Sequence, residues 1–384
     1  MRLPANRLRA ALLLAPVGLV LLVALAELFF RFVLPAPCAP DLAFVDGVLR
    51  HSPGQTGEYR NGPVSAPFSI NAKGWNSAHA DYPAARGKGL RIAVVGGALA
   101  EALEVPPSAS LAEHLERALE HQPGGVEVFR YGMDGAPLSQ HLLVARKAAL
   151  LARPDLLIVL LAPEDIAASH QAGGGPYAAH FQKLRLDPED MVEELPPAPY
   201  VPTFIERLRK WSATVRMFCG ARAPRPGLAE RLLRKNKPDR RFEAAASAAA
   251  PAVEGPSERE SLDRRATRYL LGRLQAEAAA AGANLLVVMD GPHEELAAGA
   301  SPQELDRALE TNRLAAEEAE LLGVSLLDLS PVFAEDYRRH GEPHGFPRQP
   351  AGAGEQWNAY GHAVAAKAVA ETLERLGWLR PDPT

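Results

Sequence analysis

Residues 91–105, RIAVVGGALAEALEV, restrict the fold more tightly than any other stretch of this chain. Ile92, Ala93, Val94 and Val95 form an unbroken apolar run, the pattern of a strand buried on both faces of a parallel sheet. The run stops at Gly96-Gly97 before a helix-forming segment. In an open parallel sheet the carboxyl ends of the strands and the amino ends of the following helices converge on one crevice, so this turn is expected to face a site. Gly97 and Ala98 stand in it, and neither has a side chain capable of chemistry.

The alternation continues downstream. Strands are expected over 91–95, 126–131, 155–161, 284–289 and 325–329, with helices between them over 111–120 and 140–151 and a closing helix over 363–376. Strands alternating with helices imply right-handed crossovers and a sheet covered on both faces, hence a three-layer α/β/α domain with a five-stranded parallel sheet. More than a hundred residues separate the third and fourth strands, far beyond an ordinary crossover, so residues 171–262 are read as a long insertion. Within it, Tyr177 to Pro199 suggests a hairpin, and Phe204, Ile205, Leu208, Trp211, Val215 and Phe218 recur at helical spacing. Between Glu206 and Arg241 twelve Lys/Arg face three acidic residues. That excess fits either a solvated helical face or contact with anionic lipid or a polyanionic glycan. Residues 243–256, rich in Ala, Ser and Pro, read as a linker back to the core.

The amino terminus adds topology. Arg2, Arg7 and Arg9 precede an apolar run that passes Glu27 and continues to Leu34, long enough to cross a bilayer. The positive flank keeps residues 1–9 in the cytoplasm, makes 10–34 a transmembrane signal anchor, and sends the rest outside. A cleaved signal ending at Ala24-Leu25-Ala26 is the competing reading; the anchor is preferred because the apolar run continues beyond the small residues. Residues 35–89 form a Pro-rich tether and an irregular lead-in packed on the domain edge, 90–376 the α/β domain, and 377–384 a tail. A net charge of −4 argues against a nucleic-acid partner. Cys38 and Cys219 leave one bridge open, with two free thiols the preferred reading. Neither a metal nor a cofactor is called for.

Four blocks of residues resemble those of the SGNH/GDSL hydrolases, a flavodoxin-like family of esterases, lipases and O-acetyl hydrolases or transferases. The resemblance runs from about Phe68 to Leu376 outside the insertion, and includes Ile70 to Trp75, similar to the segment before the first strand in membrane-anchored bacterial members. Gly96 to Ala102 matches the family's Gly-Asp-Ser-Phe-Thr-Glu-Gly, which places Gly97 and Ala98 at the oxyanion turn and Ala98 where the nucleophilic serine is expected. Tyr131 to Ser139 matches the second block intact, with Gly135 as its oxyanion glycine. Leu161 to Asp165 matches the third, with Glu164 replacing the asparagine donor. In the last block Trp357-Asn358 fits, which puts Gln356 at the base histidine and Gly354 or Ala353 at its aspartate, with Glu355 between.

An alanine has no oxygen to attack an acyl carbon, a glutamine takes no proton near neutral pH, and an ionised carboxylate only accepts hydrogen bonds. Nucleophile, base, acid and oxyanion amide are thus all replaced. The resemblance implies the family scaffold without its standard esterase chemistry, retained as a binding or accessory module for a glycan, an acylated polysaccharide or an envelope protein partner. The pocket is expected from Gly97, Ala98, Gly135, Glu164, Asp165, Glu355, Gln356, Trp357 and Asn358. The alternative is an active carbohydrate O-acyl esterase or acyltransferase using other residues, drawn from an acidic rim of Glu101, Glu164, Asp165, Asp290 and Glu355, or from His293. His362 is read as structural, since it opens the last helix.

Overall fold

The computed structural model describes residues 5–85, 87–171, 177–187, 191–219, 256–346 and 356–379. Helix α1 (Ala5–Leu28) runs into a π-helical turn, Phe29–Val33. Leu14–Val33 is long and apolar enough to cross a membrane, with a mean hydropathy of 2.1 and no part of it buried in the protein.

The lead-in is more regular than its sequence suggests. Two antiparallel hairpins, β1 (Leu42–Val45) with β2 (Val48–His51) and β3 (Thr56–Asn61) with β4 (Val64–Ser69), replace the expected irregular segment. Their Gly and Pro residues hid the alternation that buries Val64, Ala66 and Phe68 on one face of β4.

Then come β5 (Leu90–Gly96), α2 (Ala98–Glu101), α3 (Leu111–Ala118), β6 (Val126–Gly132), α4 (Leu138–Val144), β7 (Leu156–Leu161) and α5 (Pro163–Ala168). The insertion holds the hairpin β8 (Lys183–Leu186) with β9 (Val192–Leu195), then α6 (Phe204–Trp211) and α7 (Ala213–Cys219). Most of its basic run and residues 243–255 of the expected linker fall outside the described residues, and Pro256 already begins a helix. The chain returns as α8 (Pro256–Ala280), β10 (Asn284–Met289), α9 (His293–Ala298), α10 (Pro302–Ala308), α11 (Glu310–Leu322), β11 (Ser325–Asp328), α12 (Ser330–His340) and α13 (Ala359–Arg375). Cys38 and Cys219 are half-buried free thiols.

The five parallel strands are ordered β11-β10-β7-β5-β6. Numbered by their appearance in the sheet this is 2-1-3-4-5, the flavodoxin-like order. Alternate residues of each strand enter two separate cores. Ala93, Val95, Leu157, Val159 and Val287 pack with α4 and α8, whereas Ile92, Val94, Ile158, Leu160 and Val288 pack with α3 and α13. Both faces are therefore apolar, which is why these strands read as continuous hydrophobic runs. The register sets Gly132 beside Gly96, Gly96 beside Leu160, and Leu161 beside Met289, so the loops after these four strands open on one edge of the sheet.

Candidate functional site

The first three blocks converge at the carboxyl end of β5. Gly97 is the amino-terminal cap of α2, and Ala98 is its first residue. A methyl group placed on Gly97 would sit 3.6 Å from the Ala136 carbonyl oxygen and 3.8 Å from both carboxylate oxygens of Asp165. The second loop is tied to the first by a hydrogen bond from Met133 N to Gly96 O, 3.2 Å. Gly135 has φ of 73°, a left-handed conformation that suits glycine. Gly132 is equally constrained, because a Cβ there would lie 1.9 Å from the Glu101 backbone nitrogen.

Ala102, which closes α2 at the place of the resembled block's final glycine, adopts φ of 47° and ψ of 53°. A left-handed alanine costs roughly 1–2 kcal/mol, so the backbone path of the turn is imposed by its surroundings. One such constraint is Glu101, which was expected on an acidic rim. It is buried instead, with Oε1 2.7 Å from His51 Nε2, and its Oε2 accepts from Asp134 N at 3.1 Å. His51 comes from the lead-in, where no local sequence signal pointed to it.

Two further members of the proposed rim, Asp165 and Asp290, are buried as well. Asp165 is buried and caps its own helix, accepting from Ala162 N at 3.0 Å. Glu164 is exposed on the first turn of α5. Asp290 is buried and accepts from Trp357 Nε1 and from Gly291 N, both at 2.8 Å. Glu355 and Gly354 lie outside the described residues.

Two buried histidines flank this edge. His141 of α4 has Nε2 4.0 Å from Asp165 Oδ2, and neither ring nitrogen has a well-formed hydrogen bond. Burial pulls it down to about 3, and the Ala136 backbone offsets little of this, so the ring is neutral at pH 7. It cannot pair ionically with Asp165 in that state. His293, after β10, has Nδ1 3.5 Å from Asp290 Oδ1. Burial lowers it, but the Asp290 charge and hydrogen bonds to Asp290 and the Gly291 carbonyl outweigh that and raise it to about 9. Its Nε2 has no hydrogen-bond partner, and a side chain on Gly345 would come within 2.7 Å of it. His293, Glu295, Arg307, Gly345 and Phe346 line an open cleft of about 810 Å³.

The fourth block is placed by backbone pairing. Gly345 and Trp357 form an antiparallel bridge, and the Gln356 carbonyl accepts from Phe346 N at 3.1 Å. Gln356 therefore borders the His293 cleft through Gly345, and Trp357 links the block to Asp290. Asn358 caps α13 by accepting from Gly361 N at 2.9 Å, and its amide donates to Pro343 O at 2.7 Å. His362 is fully buried, accepts from Leu111 N at 3.2 Å, and is lowered to about 3 by burial. It joins α13 to α3. Among the described residues no group of His, Cys, Asp or Glu is arranged to hold a metal ion.

No family model and no curated protein matches the chain. Solved structures do. An alpha/beta hydrolase enzyme from the metagenome of Lake Arreo, Spain, is 12% identical with a TM-score of 0.40, covering 78% of this chain and 99% of its own. A lipase/acylhydrolase from Enterococcus faecalis is 12% identical with a TM-score of 0.39, covering 77% and 100%. A catalytic mutant of an acetylxylan esterase from Geobacillus stearothermophilus is 12% identical with a TM-score of 0.38, covering 77% and 99%.

Proposed function

We propose that the chain is a membrane-anchored protein whose SGNH-hydrolase-like domain lies outside the cytoplasm and binds a ligand at its sheet edge without hydrolysing it. The supporting observation is the turn at Gly97-Ala98: α2 begins there at the carboxyl end of β5, where the resemblance implies a nucleophile, and its first residue has only a methyl group. Acyl transfer through a serine-type intermediate needs an oxygen nucleophile beside a base able to accept its proton. At this edge one histidine is neutral but sealed from solvent, and the other already holds its proton.

The cleft beside His293 is lined by the Arg307 guanidinium and the Phe346 ring, together with the carboxylates of Glu294, Glu295 and Glu304. That lining suits a neutral, hydroxyl-rich ligand, and an acylated glycan at the cell envelope is the class we favour. Its test is a binding titration of acetylated and deacetylated oligosaccharides on the full-length chain in detergent, with the mixture analysed by mass spectrometry. Binding with every acetyl group still in place is the expected result. Release of acetate catalysed by the protein would reject the reading in favour of an esterase with unusual residues.

A further inference from the structure

Helix α6 is turned inside out. Phe204 and Trp211 are each 73% exposed and Leu208 is 39% exposed, and their i, i+4, i+7 spacing sets them on one stripe. The opposite side carries the charges inward, where Arg209 and Glu206 pair at 3.5 Å with side chains only 6% and 11% exposed. A helix in water normally does the reverse. Phe218 of α7 is likewise 77% exposed.

This surface is fixed to the end of the apolar amino-terminal helix. Glu27 accepts from Ala213 N at 2.8 Å, from Thr214 N at 3.1 Å and from Ser212 Oγ at 2.9 Å, which holds the elbow between α6 and α7 against α1. Arg31 pairs with Glu27 at 2.8 Å and donates to Trp211 O at 3.0 Å, and the Phe30 and Phe218 rings meet edge-on at 5.6 Å. Glu27 is thus a clip that fixes the elbow between α6 and α7 at that level of α1.

We infer that α6 and α7 form an interfacial collar, with Phe204, Leu208 and Trp211 inserted at the headgroup boundary of the bilayer that α1 crosses. The occupant is lipid because the stripe continues from the span itself: Phe32 and Val33, at its end, are 73% and 68% exposed. Exposed Arg207 and Lys210 flank the aromatics, as side chains do that reach from an apolar boundary to headgroups. The span holds the collar at the surface, so weak contacts suffice to seat it and to fix the orientation of the sheet-edge cleft relative to the membrane. The inference rests on the reading of Leu14–Val33 as a span.

Tryptophan quenching by brominated lipid tests it. The full-length chain is reconstituted in phosphatidylcholine vesicles with or without bromine on the acyl chains, and its membrane integration is checked separately by alkaline carbonate extraction. Bromine should lower the emission, the drop should vanish in Trp211→Phe, and Phe204→Asp with Leu208→Asp should shrink it by roughly half or more. Trp75 and Trp357 are 1% exposed and Trp378 packs half-buried against the core beside α13, so these three serve as internal background. Equal emission in both lipids from a carbonate-resistant chain would overturn the collar and leave the span intact. Release by carbonate would overturn the span and the collar with it.

Discussion

The two histidine–aspartate neighbours at the sheet edge make an informative contrast. His141 and Asp165 stand 4.0 Å apart and the histidine is neutral; His293 and Asp290 stand 3.5 Å apart and the histidine is charged. His141 is sealed within the core, so desolvation prevails. His293 is buried too, but Asp290 is nearer, and its charge and hydrogen bond, with the Gly291 carbonyl, outweigh desolvation. A carboxylate within about 4 Å therefore does not by itself decide which state a buried histidine holds. Neither of the two is poised to take a proton from a serine, even if one stood at position 98.

Removing each acid should show the difference most strongly. Asp290→Ala strands a buried charged ring, Trp357 Nε1 and Gly291 N, and should cost about 3–5 kcal/mol. Asp165→Ala loses a helix cap beside a neutral ring and should cost about 1–2 kcal/mol. Urea unfolding of the two variants checks the ranking, and equal losses would erase the contrast.

The pH profile should split along the same line. His293 is raised, so its contribution is complete below its unfolded value of about 6.5 and is lost as pH climbs through about 9. His141 and His362 are lowered, so theirs is complete above about 6.5 and is lost as pH falls toward 3. Thermal melts across pH should therefore peak near neutrality. His293→Gln should flatten the alkaline limb, and His362→Asn, which keeps an acceptor for Leu111 N, part of the acid limb.

The smallest effect concerns the turn. Ala102→Gly should stabilise by about 0.5–1 kcal/mol, since glycine adopts the left-handed backbone without steric strain. A loss in chemical-denaturation stability would mean that the Ala102 methyl packs better than its backbone suggests.

Much of this fold was legible because its signals are local and repeated. Apolar runs such as Leu156 to Leu161 mark doubly buried strands, Gly96-Gly97 marks the turn, and the hairpin and helices of the insertion followed from their spacing. What could not be read depends on distant partners. His51 gains meaning only against Glu101, fifty residues away, and Glu27 only against Ser212 to Thr214. The lead-in hairpins were obscured by their own turn residues. For the site, the resemblance located the turn, yet it did not show that Glu101, Asp165 and Asp290 are already committed to structural hydrogen bonds.

The central claim is that the edge binds without reacting, and turnover of p-nitrophenyl acetate by the full-length chain tests it most directly, with Ala98→Ser measured beside it. Neither protein should exceed the buffer rate, because a serine at position 98 would still lack an accessible unprotonated base. Turnover by the unaltered chain that disappears on Glu164→Ala or His293→Gln would contradict the account and make the edge an active site.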